Sequence, residues 1–231
     1  MKGTPQGTEP AVRLEGLARR FGLRWVLRGA DLEVGRGEIV GLTGRNGSGK
    51  TTLLRIVATA LRPTRGTGRI FGLELVREAA EIRELVGILG HEAGLYDDLT
   101  AAENLAFAER MRGRRPEPAA LDRVLERVSL EAERDERVHG FSAGMRRRLA
   151  LARLLLDPPS LLLLDEPYAS FDADGIERVN DFAAEVAAGG GAALIATHDL
   201  VRGQRVIQRT IGIEDGRTSD RAVEVAREGD T

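Results

Sequence analysis

The sequence contains no cysteine among its 231 residues. This absence excludes disulfide scaffolds, zinc sites with thiolate ligands and enzymes with a cysteine nucleophile. It agrees with a reducing compartment such as the cytoplasm, where disulfides rarely persist. Lysine is also scarce: Lys2 and Lys50 are the only two, and every other basic residue is arginine.

Long apolar runs are absent as well. A membrane-spanning helix needs about 20 predominantly apolar residues, whereas the most apolar stretch, residues 149–164, is interrupted by charged residues and prolines. Residues 1–7 lack the apolar segment of a secretory signal. We therefore expect a chain that does not cross a bilayer by itself but could dock on a protein that does.

Neither sign of charge dominates the chain. Lys+Arg total 34 and Asp+Glu total 36, so the net charge is −2 and the isoelectric point is about 6.0. This balance argues against a basic, histone-like protein, and we expect no nucleic-acid partner. Apolar residues at 42% and charged residues at 30% predict a globular fold.

Periodicity and turn signals predict how the chain is organised. Short apolar runs between glycines predict antiparallel strands over residues 12–34. Strand, helix and strand signals then alternate, which predicts a parallel sheet covered on both faces. The predicted parts are a flexible start at 1–10, a core at 11–86 and 158–217, a helical subdomain at 87–157 and a tail at 218–231.

Individual elements follow from the same signals. The patterns predict strands at 38–43, 69–75, 161–164 and 192–197, and a loop at 63–68. They predict helices at 50–61, 78–85, from about 100 to 156 with a link near 111–118, and at 176–188. Thr100 and Glu103 form a capping box at the start of the long helical part.

The strongest motif is a glycine-rich turn between the strand at 38–43 and the next helix. Residues 44–51 match G-x-x-x-x-G-K-[ST], the P-loop pattern, in the strand–turn–helix context that the motif requires. Glycine backbone N–H groups would wrap phosphates, the Lys50 ammonium would contact them, and the Thr51 hydroxyl would bind Mg²⁺. The predicted contacts are Gly44, Asn46, Gly47, Ser48, Gly49, Lys50, Thr51 and Thr52.

Two acids end the apolar strand at residues 161–164. At the carboxyl end of a parallel strand, Asp165 and Glu166 would lie beside the P-loop. Asp165 would hold Mg²⁺, and Glu166 would act as general base on the attacking water. In the competing interpretation, these acids only cap the next turn. The P-loop in the same chain makes that interpretation the less favoured one.

A third segment makes the family resemblance specific. Residues 141–145, Phe-Ser-Ala-Gly-Met, precede an arginine-rich helix and resemble the L-S-G-G-Q signature of ATP-binding-cassette ATPases. Ser142 and Gly144 keep the positions that would bind a γ-phosphate at a helix N-terminus, although Ser142 could simply cap the helix. Phe141 and Met145 depart from the usual Leu and Gln, so polar contacts from position 145 are lost.

Further positions carry over from this resemblance. Phe21 stands where the family places an aromatic that stacks on adenine, although a core role is the alternative. Residues 169–172 resemble the loop that joins the two sites of a dimer. His198 resembles the switch histidine that contacts the γ-phosphate. The resemblance implies ATP and Mg²⁺ as cofactors, and a head-to-tail homodimer in which Ser142 and Gly144 complete the partner's site.

His91 stands where the family usually has glutamine. The resemblance implies that this residue senses Mg²⁺ and the attacking water and couples to the membrane partner; a neutral imidazole can do similar work. His91 after glycine, together with the Ser-Ala-Gly signature, resembles the ATP-binding subunits of the haem exporter of cytochrome c maturation. Ordinary sequence drift in another exporter ATPase is the alternative.

Together these features predict an α/β P-loop NTPase core with an N-terminal antiparallel β-subdomain and a helical subdomain. The expected function is ATP hydrolysis at the cytoplasmic face of the cell membrane, coupled to transmembrane permease subunits that handle haem. The alternatives are an exporter ATPase for drugs, polysaccharide or lipid, and a soluble cassette ATPase that acts on DNA or ribosomes. A generic P-loop kinase or GTPase would leave the signature and His198 unexplained.

Overall fold

The computed structural model describes residues 8–90, 94–169 and 171–221, which form two β-sheets and six α-helices. The strands are β1 (Val12–Phe21), β2 (Arg24–Val34), β3 (Ile39–Thr43), β4 (Arg65–Ile70), β5 (Leu73–Glu74), β6 (Val86–Leu89), β7 (Leu161–Asp165), β8 (Ala192–Ala196), β9 (Arg209–Glu214) and β10 (Arg217–Arg221). The helices are α1 (Lys50–Val57), α2 (Ala79–Leu85), α3 (Ala101–Met111), α4 (Pro118–Arg127), α5 (Ala143–Leu156) and α6 (Ala173–Ala188). Among these residues, no helix combines the length and the apolar character that a bilayer crossing requires.

The first sheet confirms the antiparallel strands predicted near the N-terminus. Its order is β2-β1-β4-β5, and β1 runs antiparallel to both β2 and β4. Strand β4 begins at Arg65, inside the predicted loop, because Arg65 pairs with Ala18 of β1. The predicted strand at 69–75 is instead split, since the chain turns at Phe71 and Gly72, both with positive φ.

The second sheet is the core of the molecule and has the order β10-β9-β3-β8-β7-β6. Its strands run parallel except β10, which is antiparallel to β9. Leu162 and Leu164 pack into the apolar cluster formed with α3 to α6, whereas Leu161 and Leu163 pack into the cluster formed with α1 and the first sheet. The sheet is therefore covered on both faces, as the apolar run predicted.

Two strands lie where the sequence predicts none. Val86–Leu89 form β6, which pairs in parallel with Leu161–Leu164 of β7, so residues 87–89 belong to the core sheet and not to the helical part. Residues 218–221, predicted as the start of a tail, continue β10. Hydrogen bonds tie this strand to the first sheet, since the Asp31 N–H donates to Thr218 Oγ1 over 2.8 Å.

Helix ends follow local chemistry. Helix α1 stops at Val57, four residues before the predicted end, and Thr59 takes a left-handed φ of 57° that a helix cannot contain. Helix α6 begins at Ala173, three residues before the predicted start, because Asp172 caps it by accepting the Gly175 N–H over 2.9 Å.

The capping box at the start of α3 gives a stability prediction. The Glu103 N–H donates to Thr100 Oγ1 over 3.1 Å, and the Thr100 N–H donates to Glu103 Oε2 over 2.9 Å. We expect Thr100→Ala to lower the free energy of unfolding by about 1 kcal/mol, because one N–H at the helix start loses its acceptor. Urea denaturation measures this, and Thr100→Ser, which keeps the hydroxyl, should stay within about 0.5 kcal/mol of wild type. Equal losses in both variants would contradict the prediction.

Candidate nucleotide-binding and hydrolysis site

The glycine-rich turn lies between β3 and α1, as the P-loop motif requires. Gly44 and Gly49 have φ values of 150° and 114°, and a Cβ at Gly44 would lie 2.5 Å from the Ile213 carbonyl oxygen. At Gly49 a Cβ would lie 2.7 Å from Leu27 Cδ2. Glycine is therefore required at both positions by backbone conformation and by close packing. The turn brings its backbone N–H groups to the N-terminus of α1, where anions bind.

Lys50 lies at the base of this turn, with 7% of its surface exposed. Its Nζ donates to Gly44 O over 2.7 Å and to Arg45 O over 3.4 Å, and it lies 4.0 Å from Glu166 Oε1. An open groove of about 420 Å³ lies above it. The groove is lined by Arg24, Val26, Asn46, Gly47, Gly49, Lys50, Thr51, Thr52, Asp165 and Glu166.

Thr51 and Asp165 meet at the floor of the groove. Thr51 Oγ1 lies 3.1 Å from Asp165 Oδ1, so the first turn of α1 touches the end of β7. A hydroxyl and a carboxylate are the hard oxygen ligands that Mg²⁺ prefers. The donor set therefore fits Mg²⁺, and these two side chains would hold it beside the phosphates.

Glu166 adopts an uncommon backbone conformation, with a φ of 47°. Its N–H donates to Ala196 O over 2.8 Å, which ties it to the end of β8. Its Oε2 lies 2.8 Å from His198 Nδ1, so an ionised carboxylate requires the imidazole proton on Nδ1. The predicted base and the predicted switch histidine are therefore in direct contact.

Sheet topology explains why these side chains meet. Strands β3, β8 and β7 are parallel neighbours, so their carboxyl ends lie at one edge of the sheet. The P-loop follows β3, Asp165 is the last residue of β7 with Glu166 directly after it, and His198 follows β8. A groove at this edge is where α/β folds usually bind ligands.

The signature residues lie at the N-terminus of α5. Ser142 caps this helix by accepting the Met145 N–H over 3.2 Å, as the simpler interpretation predicted. Ser142 is exposed, and neither it nor Gly144 lines the groove over Lys50. Phe141, in place of the usual Leu, is buried in the helical core. Within one chain, the signature is not brought to the P-loop groove.

The remaining predicted positions have mixed outcomes. Phe21 ends β1 with 46% of its surface exposed, which rules out a core role, but it is not among the residues lining the groove. The Arg19 guanidinium carbon lies 4.6 Å from the centre of its ring. His91 and Ser170 lie outside the described residues. Asp172, in the predicted dimer loop, caps α6.

Sequence reasoning missed several residues around the site. Arg24 and Val26 of β2 line the groove, and no local motif marks them. Arg147 of α5 is buried and donates to the carbonyl oxygens of Asp165 and Glu166. Burial lowers the pKa of this guanidinium, while the two nearby acids act in the opposite direction. Arg147 lies in phase with the buried residues 150, 151 and 154, but Arg148 is likewise in phase with the buried residues 151, 152 and 155, so no sequence signal singles out Arg147.

A buried network that the sequence did not reveal links the segments after Glu166 and His198. The Tyr168 hydroxyl donates to Asn180 Oδ1 over 2.9 Å, and Asn180 Nδ2 donates to Arg202 O over 2.8 Å. Arg202 Nη1 in turn donates to Tyr168 O over 3.1 Å. Burial raises the pKa of the Tyr168 hydroxyl, so it stays a neutral donor.

Comparisons with known proteins agree with this geometry. The family described as ABC transporter matches residues 27–169. Daunorubicin resistance ATP-binding protein DrrA3 of Streptomyces coeruleorubidus is 37% identical over 211 residues, which cover 90% of this chain and 67% of that protein. Cytochrome c biogenesis ATP-binding export protein CcmA of Xanthomonas axonopodis pv. citri (strain 306) is 42% identical over 184 residues, covering 80% of this chain and 85% of that protein.

A solved structure, described as the structure of the ATP binding subunit of an ABC transporter, has a TM-score of 0.81 at 26% identity. The match covers 91% of this chain and 90% of that one. The family match covers more than half of the 231 residues and includes the P-loop, the signature and the two acids of β7. This chain therefore belongs to the ABC transporter family, as an ATP-binding subunit with ATPase activity.

Proposed function

We propose that this subunit hydrolyses ATP in a head-to-tail homodimer at the cytoplasmic face of the cell membrane and drives haem export for cytochrome c maturation. ATP-binding subunits of this family dimerise and act with membrane permease subunits. The observation that carries the catalytic part is the meeting of Lys50, Thr51, Asp165, Glu166 and His198 at one edge of the sheet.

Each of these side chains has a role in the proposed hydrolysis. The P-loop N–H groups and Lys50 bind the phosphates, and Thr51 and Asp165 would hold Mg²⁺, which would offset phosphate charge. Glu166 accepts a proton from water as the water oxygen bonds to the γ-phosphorus. The bond from that phosphorus to the β–γ bridging oxygen breaks, and ADP and phosphate leave. His198 orients the Glu166 carboxylate and contacts the γ-phosphate.

The position of the signature supports a site shared between two chains. Ser142 and the N-terminus of α5 are exposed and lie outside the groove over Lys50, although they offer N–H groups suited to a phosphate. In a head-to-tail dimer, the signature of one chain would close the groove of the other. A monomer would then bind ATP but hydrolyse it slowly, because its site lacks these donors.

The substrate assignment rests on sequence likeness. The CcmA relative is 42% identical, and His91 with the Ser-Ala-Gly signature resembles the haem-export subgroup. The second candidate is export of a drug, since the DrrA3 relative matches 90% of the chain at 37% identity. The two candidates share the ATPase site and differ in the permease that the subunit drives.

Capture of the membrane complex tests the assignment. Tagged full-length chain carrying Glu166→Gln, which should hold the ATP-bound state, is purified from gently solubilised membranes of its source in ATP and Mg²⁺. Co-purified chains are identified by mass spectrometry, and the eluate is scanned for the haem Soret band. Haem-handling permease subunits support the proposal. A different permease without haem supports the drug-export candidate, and no membrane subunit at all contradicts a transport role.

His91 gives a pH prediction. If it supports hydrolysis as a neutral imidazole, ATPase activity should fall as the pH drops below about 6, where an imidazole gains a proton. His91→Gln is expected to remove this acid limb and leave activity near neutral pH within about threefold. The measurement is the ATPase rate of both forms between pH 5 and 8. An identical acid limb in the variant would show that another group titrates.

A further inference from the structure

The Arg147 side chain connects the signature helix to the catalytic segment of its own chain. Arg147 has 8% of its surface exposed, and its Nη2 donates to Asp165 O over 3.1 Å and to Glu166 O over 2.5 Å. Its Nε has no hydrogen-bond partner in the described part of the chain. The two carbonyl oxygens at the end of β7 are thus the anchor of this buried cation.

These carbonyls belong to the segment that sets the direction of the base. Glu166 has a φ of 47°, which costs energy for a residue with a side chain and persists only where neighbours hold it. Its N–H donates to Ala196 O, and its carbonyl oxygen accepts from Arg147 Nη2 and from the Ala169 N–H over 3.3 Å. With both sides of the residue fixed, the carboxylate stays within reach of His198 and Lys50.

Arg147 lies on the helix whose first residues carry the signature. Ser142 caps α5, and Arg147 follows five positions later, roughly 7 Å along the helix axis. In the proposed dimer, Ser142 contacts ATP in the partner's site. In that dimer the same helix would touch the partner's nucleotide at one end and its own chain's catalytic segment about a turn and a half later.

We propose that Arg147 is a positioning residue that links the two ATP sites: it holds Glu166 of its own site and lies on the helix that senses γ-phosphate in the other. This rests on the proposed head-to-tail dimer. Closure of α5 on the partner's ATP would move the guanidinium, and with it the backbone of Glu166. Each site would then reach its productive geometry only when the other is occupied.

Homodimers test the positioning role first. We expect Arg147→Met to lower kcat at least about tenfold, because a displaced base reacts slowly, while KM for ATP changes less than about threefold. Arg147→Lys, which keeps a buried cation with N–H donors on a single nitrogen, should recover part of kcat. Arg148→Met is the matched control, since Arg148 on the same helix donates to Ser129 O, away from the groove. A kcat within twofold of wild type in a folded Arg147→Met protein overturns the proposal.

Mixed dimers, isolated through two affinity tags, separate this role from a general distortion of α5. The reference dimer carries Glu166→Gln on one chain only. Adding Arg147→Met to that same chain should leave the reference activity unchanged, because the site it disturbs is already inactive. Adding Arg147→Met to the opposite chain should lower activity at least about tenfold. A distorted signature helix predicts the reverse pattern, since Ser142 serves the partner's site, and that pattern overturns the proposal.

Two further outcomes keep this test separate from that of the dimer. If Glu166→Gln alone forms no ATP-bound dimer, the head-to-tail dimer is wrong. The proposed link between the two ATP sites is then wrong as well. If the dimer forms and Arg147→Met keeps a normal kcat, only the role of Arg147 is wrong. If one Glu166→Gln chain abolishes the activity of the whole reference dimer, the homodimers test the role of Arg147 instead. The deciding values are then kcat and KM of Arg147→Met and the recovery of kcat in Arg147→Lys.

Discussion

Replacing Glu166 by glutamine is expected to lower the ATPase rate at least about a hundredfold, because the amide cannot accept a proton from water. The side chain keeps its size, so ATP binding should persist. The carboxylate lies 2.8 Å from His198 Nδ1 and 4.0 Å from Lys50 Nζ, and Glu166 lines the groove. With hydrolysis blocked, ATP and Mg²⁺ should hold the variant as a dimer. Gel filtration with light scattering measures this as a doubling of the 25.0 kDa chain mass.

The matched control is Glu185→Gln on α6, where the glutamate side chain forms a surface ion pair with Arg127. Such pairs contribute little to stability, so this variant should hydrolyse ATP at the wild-type rate and elute like wild type. A Glu166→Gln protein that stays monomeric at saturating ATP and Mg²⁺ would disprove the shared site. A variant that keeps more than about a tenth of the wild-type rate would remove Glu166 from the role of base.

The site was largely predictable because its chemistry is local in sequence. A P-loop needs glycines, a lysine and a threonine within eight consecutive residues, and the acids after β7 follow a four-leucine run. These constraints are steric and electrostatic, so residue type alone reveals them. His198 was assigned differently, through its resemblance to the family's switch histidine, at a position two residues after a buried strand. The contact between His198 and Glu166 follows once β7 and β8 are neighbours.

The two strands that the sequence did not predict, β6 and β10, show which elements local sequence signals cannot reveal. β6 has four residues, and its partner β7 lies more than 70 positions later, so only the tertiary fold defines it as a strand. β10 has the sequence Arg-Thr-Ser-Asp-Arg, which carries no apolar alternation. It is held at the edge by β9 and by the bond between Asp31 N and Thr218 Oγ1, an interaction across 187 positions.

Arg147 shows a third reason why part of the site could not be predicted from the sequence. It is the middle one of three consecutive arginines, and residue type cannot separate their roles. Arg146 pairs with Asp97, Arg148 reaches Ser129 O, and Arg147 alone of the three points into the core beneath Glu166. Helical phase does not separate Arg147 from Arg148, because the residues three, four and seven positions after either arginine are all buried.

Replacing Lys50 by alanine is expected to weaken ATP binding about 10- to 100-fold and to stop hydrolysis. The ammonium is nearly buried and lies next to the loop that would enclose the phosphates, where a charged hydrogen bond contributes about 1.5–3 kcal/mol. Its 2.7 Å contact with Gly44 O also closes the loop, so part of the loss would come from a loosened P-loop. Fluorescent ATP-analogue titration measures the affinity, and a colorimetric phosphate assay measures the rate.

The Lys50→Arg variant tests whether a positive charge at position 50 is sufficient or whether the compact shape of the ammonium is also required. The pocket fits a compact ammonium, with Gly44 O at 2.7 Å, Arg45 O at 3.4 Å and Glu166 Oε1 at 4.0 Å, and a planar guanidinium cannot meet the same atoms. We therefore expect Lys50→Arg to lose hydrolysis as Lys50→Ala does, even though the charge is kept. Wild-type turnover in Lys50→Arg would show that a positive charge alone suffices at this position. Full ATP affinity in Lys50→Ala would place the phosphates elsewhere, and the assignment of this groove would then be wrong.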